Sequence, residues 1–270
     1  MSRLFYVFGN PINHSLSPAI HAMFAKETGL DIRYEKLCLE REDFAGQLRS
    51  LLAKEAIIGA NITVPFKLDA AKFATTLTER AQRAGATNTL LFRGKDDILG
   101  DNTDGIGFVR DVENRQGVDL MGARILLLGA GGAARGLIAA LIEKTQRITI
   151  ANRTQEKAEA LARDFNLKSC SFSETDAPNW DIVINATSAS LKGAVPPVGD
   201  KALSGAKLSY DLMYGAKPTV FLEKAKALGC KKAADGLGML IEQAAESFLL
   251  WNGVRPPTDA VYETLKSRLA

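Results

Sequence analysis

Short apolar runs alternate along the chain with longer segments in which apolar residues recur at helical spacing. Leu4 to Phe8 reads as a buried strand, Pro18 to Thr28 as a helix stopped by Gly29, and Arg33 to Leu37 as a second strand. Asp43 to Lys54 reads as a helix, and Ile58 to Val64 as a third strand closed by Pro65. A second series starts at Arg124. The run Ile125-Leu-Leu-Leu feeds a helical pattern from Ala133 to Lys144. Ile148 to Ala151, Ala158 to Phe165 and Ile182 to Ala186 follow as strand, helix and strand. Leu240 to Trp251 reads as a long amphipathic helix. Such alternation predicts an α/β protein of two domains. The first is an N-terminal α/β domain with a mainly parallel sheet, and the second is a Rossmann-type domain. The first spans residues 1–104 with 241–270 and the second 105–240, with the linker near Gly105 to Gly122. No internal repeat or low-complexity segment interrupts the pattern.

Composition narrows the partners. The 270 residues are 46% hydrophobic and 24% charged, which suits a folded core rather than a disordered chain. A net charge of +3 is too small to imply a nucleic-acid or membrane partner, so small molecules are the expected ligands. Cys38, Cys170 and Cys230 are odd in number, far apart and without metal-ligand spacing. They predict free thiols and no metal site. The N-terminus turns polar at Gly9-Asn10, too early for a signal peptide, and no apolar run is long enough to span a membrane. A cytoplasmic protein, monomeric or homodimeric, is the expectation.

The sharpest chemical signal is Gly129-Ala130-Gly131-Gly132-Ala133-Ala134, which leaves an apolar strand and opens a helix. This is G-x-G-x-x-A in the context that binds dinucleotides. Gly129 permits the tight turn, Gly131 lets a pyrophosphate approach the backbone, and the helix N-terminus offers free N–H groups. A glycine-rich turn with no ligand is the bland alternative. At the end of the next strand, NAD sites place an acidic residue for the ribose 2′-hydroxyl. Here Asn152-Arg153-Thr154 stands, with Lys157 a turn later. A guanidinium can pair with a 2′-phosphate through two N–H donors. The expected cofactor is therefore NADP, although an arginine at a helix start is also a common solvated residue.

Polar residues concentrate elsewhere at predicted strand ends. Ser15 and Ser17, at a helix start, suit a carboxylate, although Ser17 alone could be an N-cap before Pro18. Asn61-Ile-Thr63-Val-Pro-Phe-Lys67 ends the third strand, with Asn61 and Thr63 expected on one side. Lys67 could shuttle a proton, or simply be a surface lysine. Asn88, in Gly85-Ala-Thr-Asn-Thr, and Asp104, in Asp101-Asn-Thr-Asp-Gly, could bind hydroxyls or serve as turn residues.

Taken in order, these motifs resemble the shikimate dehydrogenases. Gly9-Asn-Pro-Ile-Asn-His-Ser-Leu-Ser-Pro-Ala-Ile-His is similar to their N-terminal signature, and residues 61–67 to their catalytic-lysine motif. Residues 85–89, 101–105, 129–135, 152–154, 185–188 and 235–240, with Gln243-Ala-Ala, also match. The resemblance implies an NADP-dependent enzyme that interconverts 3-dehydroshikimate and shikimate. It implies Lys67 as the general acid/base, paired with Asp104. It implies that Ser15 and Ser17 bind the substrate carboxylate, while Thr63, Asn88, Asp104, Tyr214 and Gln243 hold hydroxyls and carboxylate. For the cofactor it implies residues 129–133, Asn152, Arg153, Thr154 and Lys157, with Leu212 and Gly236 against the nicotinamide and Glu79 nearby. One departure stands out. The family often has a glycine within two residues of Asn-Ala-Thr-Ser, where this chain has Ala189-Ser190-Leu191. This bears on the loop near the nicotinamide, and residues 193–199 match no role.

Three other readings compete. A quinate/shikimate dehydrogenase using NAD would favour an acidic residue at position 153. A folate-interconverting dehydrogenase would not need Ser15 and Ser17. A nucleotide-sensing module would be expected to lack Lys67 or Asp104.

Overall fold

The computed structural model describes residues 2–94, 96–176 and 179–269. The chain divides into two compact units, residues 1–107 with 241–263 and residues 108–240 with 264–270. The sequence-based division differs at 105–107 and at 264–270.

The first unit holds strands β1 (Arg3–Gly9), β2 (Ile32–Cys38), β3 (Ile57–Ile62), β4 (Thr76–Leu77), β5 (Thr89–Phe92) and β6 (Ile98–Asp101), in the order β2-β1-β3-β5-β6-β4. The β1–β2, β1–β3 and β4–β6 pairs are parallel. The hairpin β5–β6 is antiparallel and joins β3 antiparallel. The sheet is therefore mainly parallel with one antiparallel insertion. That hairpin falls where the sequence pattern suggests only polar turns. Helices α1 (Ser17–Thr28), α2 (Phe44–Leu52), α3 (Lys67–Phe73) and α4 (Glu79–Ala84) connect these strands. Gly29 ends α1 in the left-handed region at φ 68°, and Asp43 caps α2 by accepting from Gly46 N. Tyr6, Phe8, Leu48, Ile62, Phe66 and Leu90 pack into one core against the sheet.

Helix α5 (Asp104–Arg110) continues into a single π-helical turn, Asp111–Arg115. The expected linker at 105–122 is thus helical over its first half. Phe108, Val109 and Val112 are buried, and Tyr210 donates to Asp111 Oδ2 at 2.7 Å. A free linker would leave those apolar groups in water.

The second unit is a six-stranded parallel sheet of β7 (Ile125–Leu128), β8 (Ile148–Ala151), β9 (Lys168–Cys170), β10 (Ile182–Asn185), β11 (Leu208–Asp211) and β12 (Ala233–Asp235). Its order, β12-β11-β10-β7-β8-β9, is that of the doubly wound dinucleotide-binding fold. Helices α6 (Gly132–Leu141), α7 (Gln155–Phe165), α8 (Asp200–Ser204) and α9 (Val220–Ala227) accompany it. Ile125 and Leu127 enter one core, and Leu126 and Leu128 enter another. Burial on both faces explains why this strand is an unbroken apolar run in the sequence.

The chain ends with α10 (Leu237–Asn252) and α11 (Asp259–Leu269). The expectation of an amphipathic helix at 240–251 needs correction. Every residue from Ile241 to Phe248 is buried, so the helix has no solvent face there. Its acidic groups are paired rather than solvated. Arg255 binds both Glu242 and Glu246, and Arg80 reaches Glu246 at 3.5 Å. Among the described residues, no helix is long and apolar enough to cross a membrane, and no group of three or more His, Cys, Asp or Glu could hold a metal ion.

Candidate active site

In the first unit, Lys67 opens α3 directly after the turn that follows β3, and Asp104 opens α5 just beyond β6. Their side chains meet at 2.5 Å, Nζ to Oδ2, with the lysine one-fifth exposed and the aspartate nearly buried. Asn88, immediately before β5, donates to Asp104 Oδ1 at 2.9 Å, to Thr103 Oγ1 at 3.0 Å and to Gln243 Oε1 at 3.2 Å. Its own oxygen accepts from Thr103 N at 2.8 Å. Asn88 is therefore fixed on both sides, and neither it nor Asp104 is a solvated turn residue.

The network extends further. Ser247 lies within hydrogen-bonding distance of Thr89 Oγ1 at 2.8 Å and of Thr103 Oγ1 at 3.3 Å. Asn61 donates to Ser247 at 2.9 Å and accepts from Tyr34 Oη at 2.7 Å. Burial raises the Tyr34 pKa well above the usual tyrosine range. Ser15 donates to Ser17 Oγ at 3.2 Å and accepts from Ser17 N at 3.3 Å. A path of hydroxyls and amides thus links Tyr34 to the Lys67–Asp104 pair, with the Ser15–Ser17 pair as a separate bonded unit. Ser17 is not the N-cap, because that position belongs to Leu16, whose own side chain makes no capping bond. The strand reading also needs correction at Thr63. β3 ends at Ile62, so alternation does not carry Thr63 to the side of Asn61. Thr63 N donates to Phe8 O at 2.9 Å and its carbonyl accepts from Phe66 N at 3.0 Å, which opens the turn into α3.

In the second unit, the turn after β7 lines a cavity of about 620 Å³ together with Asn152 to Thr154, Lys157 and the segment after β10. Gly129 has φ +116°, and a Cβ there would lie 2.9 Å from the carbonyl oxygen of Ala186. No other residue suits that backbone. A Cβ on Gly131 or Gly132 would meet nothing within 4 Å, so the space beside the turn is free for a ligand. No side chain caps α6 at Gly131, which leaves its first N–H groups for an anion. Among the described residues, the lining contains Arg153, Lys157 and Lys192 and no carboxylate. These features fit a dinucleotide with an added phosphate. The cavity lies at the switch point where β7 and β10 carry the chain to opposite sides.

Gly236 and Leu212 are also brought together. A Cβ on Gly236 would fall 2.1 Å from the Leu212 carbonyl oxygen. Tyr214, in the same unit, is partly buried, and its pKa is raised by burial and by Asp235. Asp235 is itself raised, mainly by burial. Glu79 lies in the first unit, where it pairs at the surface with Arg83.

Comparison with known proteins identifies the lineage. Residues 7–90 match the shikimate dehydrogenase substrate binding domain, 111–193 the shikimate/quinate 5-dehydrogenase domain, and 236–266 the shikimate 5′-dehydrogenase C-terminal domain. The chain belongs to the shikimate dehydrogenase family. It is 50% identical to a shikimate dehydrogenase (NADP(+)) of Nitrosospira multiformis, over 100% of this chain and 99% of that relative. The crystal structure of an Ael1 enzyme from Pseudomonas putida superposes with a TM-score of 0.92, at 42% identity and 98% coverage of both chains. Shikimate 5-dehydrogenase from Thermus thermophilus, solved with NADP(H) and shikimate, gives 0.88 at 33% identity, over 99% of this chain and 100% of the other.

Several polar residues of this family member escape a motif-based reading. Thr89 and Thr103 sit inside matched motifs but look like turn residues. Ser247 carries a usable signal, since it stands one helical turn after Gln243 and faces the same side. Residues 194–197 match no motif, yet they line the cofactor-sized cavity with Thr187 and Ser188.

Proposed function

We propose that this chain catalyses the reversible NADP-dependent reduction of 3-dehydroshikimate to shikimate, with catalysis in the first unit and cofactor binding in the second. The Lys67–Asp104 pair, fixed by Asn88 inside a buried polar network, is the observation that carries the reading. When bound, the nicotinamide supplies or accepts the hydride. In the reducing direction Lys67, as an ammonium, donates a proton to the oxygen that develops negative charge. In the reverse direction it takes that proton back. Asp104 holds the lysine in place through its 2.5 Å ion pair. Asn88 and Gln243 bind substrate hydroxyls, with Thr63 and Tyr214 in supporting contacts. Ser15 and Ser17 donate to the substrate carboxylate, which ordinary cyclic ketones lack.

Residues 129–133 hold the pyrophosphate at the start of α6. Arg153 holds the 2′-phosphate, with Asn152, Thr154 and Lys157 around it, and Leu212 and Gly236 back the nicotinamide. Glu79 completes the assignment as a peripheral cofactor contact. An NAD-linked quinate enzyme would place an acid at position 153, and none is present. The proposal includes a cytoplasmic setting for a monomer or homodimer with small-molecule partners only. The three free cysteines support a reducing compartment.

Product identification tests the reading. Incubation with NADPH and 3-dehydroshikimate should yield a product two mass units heavier that co-elutes with shikimate. Conversion of 3-dehydroquinate at an equal or greater rate would contradict the substrate assignment.

A further inference from the structure

Ser190 lies in the Ala189-Ser190-Leu191 stretch where this chain departs from the family pattern, and it does not line the cavity that its neighbours form. Thr187, Ser188, Ala189 and Lys192 face that cavity. Ser190 instead points back into the sheet. Its hydroxyl donates to Asp211 Oδ2 at 2.6 Å and accepts from Asn185 Nδ2 at 3.3 Å. Both partners are fully buried, at the C-terminal ends of β10 and β11.

The links close on themselves. Asn185 Oδ1 accepts from Thr187 N at 3.1 Å and from Thr187 Oγ1 at 2.7 Å, and Thr187 Oγ1 accepts from Ala189 N at 3.2 Å. Asp211 Oδ2 also accepts from Thr219 Oγ1 at 2.7 Å, and Oδ1 from Met213 N at 3.0 Å. Leu212 N donates to the Asn185 carbonyl at 3.0 Å. Asp211 is a buried acceptor with three donors, and Ser190 is the one that lies on the cavity-wall turn. The turn Ser190–Lys192 is a short 3-10 helix ended by Gly193 in the left-handed region.

We propose that Ser190 is a positioning residue for cofactor binding. By tying the 186–192 wall to Asp211, it sets the wall against the glycine turn and fixes the 212–213 segment from the same carboxylate. The proposal rests on the cavity being the NADP site. Loss of the hydroxyl frees the wall and leaves a buried carboxylate one donor short, so affinity falls for any dinucleotide, with or without a 2′-phosphate. Arg153, by contrast, discriminates between the two cofactors.

Calorimetric titration of NADP and NAD into the parent, Ser190→Ala, Ser190→Thr and Arg153→Ala separates these roles. Ser190→Ala should weaken both cofactors by the same factor, about tenfold, as expected for one hydrogen bond to a charged group. The KM for shikimate should stay within twofold, and Ser190→Thr should restore affinity. Arg153→Ala should weaken NADP alone. Kd values within twofold of the parent in Ser190→Ala would overturn the proposal while leaving the cavity assignment intact. So would a loss confined to NADP, or a matching rise in the shikimate KM with a collapse in Tm. Unchanged NADP binding in Arg153→Ala would overturn the cavity assignment itself, and this inference with it.

Discussion

Removing the Lys67 side chain is the perturbation that most sharply separates catalysis from binding. The ammonium lies 2.5 Å from Asp104 Oδ2, in a network whose other members are neutral hydroxyls and amides. Those groups can hold a substrate, but they cannot replace a charged proton donor. Loss of a general acid/base costs about 10²–10⁴-fold in rate, or about 3–5.5 kcal/mol of activation free energy. Lys67→Ala should therefore lower kcat by that factor. The KM for shikimate should move far less, because Ser15, Ser17 and Asn88 remain. Folding should survive, since Asn88 still donates to Asp104 Oδ1 at 2.9 Å and the pair is not sealed from water. Asp104→Ala should lower both kcat and shikimate affinity. The double variant should be less impaired than the product of the two single losses, because the residues act as a unit. Steady-state kinetics at saturating NADP across a range of pH is the assay. If Lys67→Ala keeps more than half of the parent kcat at every pH, Lys67 only positions the substrate and the proton comes from another group.

Arg153→Asp should weaken NADP strongly and NAD little, because only NADP loses a charge-assisted pair and meets repulsion; equal losses in Kd would refute the 2′-phosphate role. Replacing Ser15 and Ser17 with alanine should raise the KM for shikimate and leave that for NADP near the parent value. A decarboxylated analogue reacting with the parent enzyme as well as shikimate would remove the carboxylate from the account. His21 is fully buried, with its ring stacked 4.2 Å from that of Tyr34, and burial lowers its pKa from 6.5 to about 3. Between those values the unfolded chain binds a proton that the folded chain refuses. Stability should therefore fall as pH drops below 6.5, by at most about 1.4 kcal/mol per pH unit. Denaturation midpoints at pH 7 and pH 5 should show this loss shrinking in His21→Phe, and an unchanged loss would assign the acid sensitivity elsewhere.

How much was legible in advance follows from where each group finds its partners. The parallel sheet of the second unit is readable because strands covered on both faces must be apolar throughout, as in Ile125 to Leu128. The β5–β6 hairpin is not. Thr89 and Asp101 look like turn residues, yet they lie within strands and are almost fully buried, with hydrogen bonds from distant side chains. Asp101, for instance, receives Arg80 Nε at 2.7 Å and Thr78 Oγ1 at 2.5 Å. The buried helix α10 misleads in the same way, because Glu242 and Glu246 suggest a wet face while Arg255 and Arg80 pair with them inside. Motif residues such as Gly129 and Arg153 are local in sequence and stand out. The bond from Ser190 to Asp211 spans twenty-one residues and three elements, and no local pattern announces it.

The most direct test of the whole account follows the absorption band of the reduced nicotinamide after shikimate is mixed with the enzyme and either NADP or NAD. Growth of that band with NADP at a rate far above that with NAD, its absence without shikimate, and its reversal on adding 3-dehydroshikimate are the predicted results. No growth with NADP, or faster growth with NAD, would contradict both the cofactor and the reaction assigned to this chain.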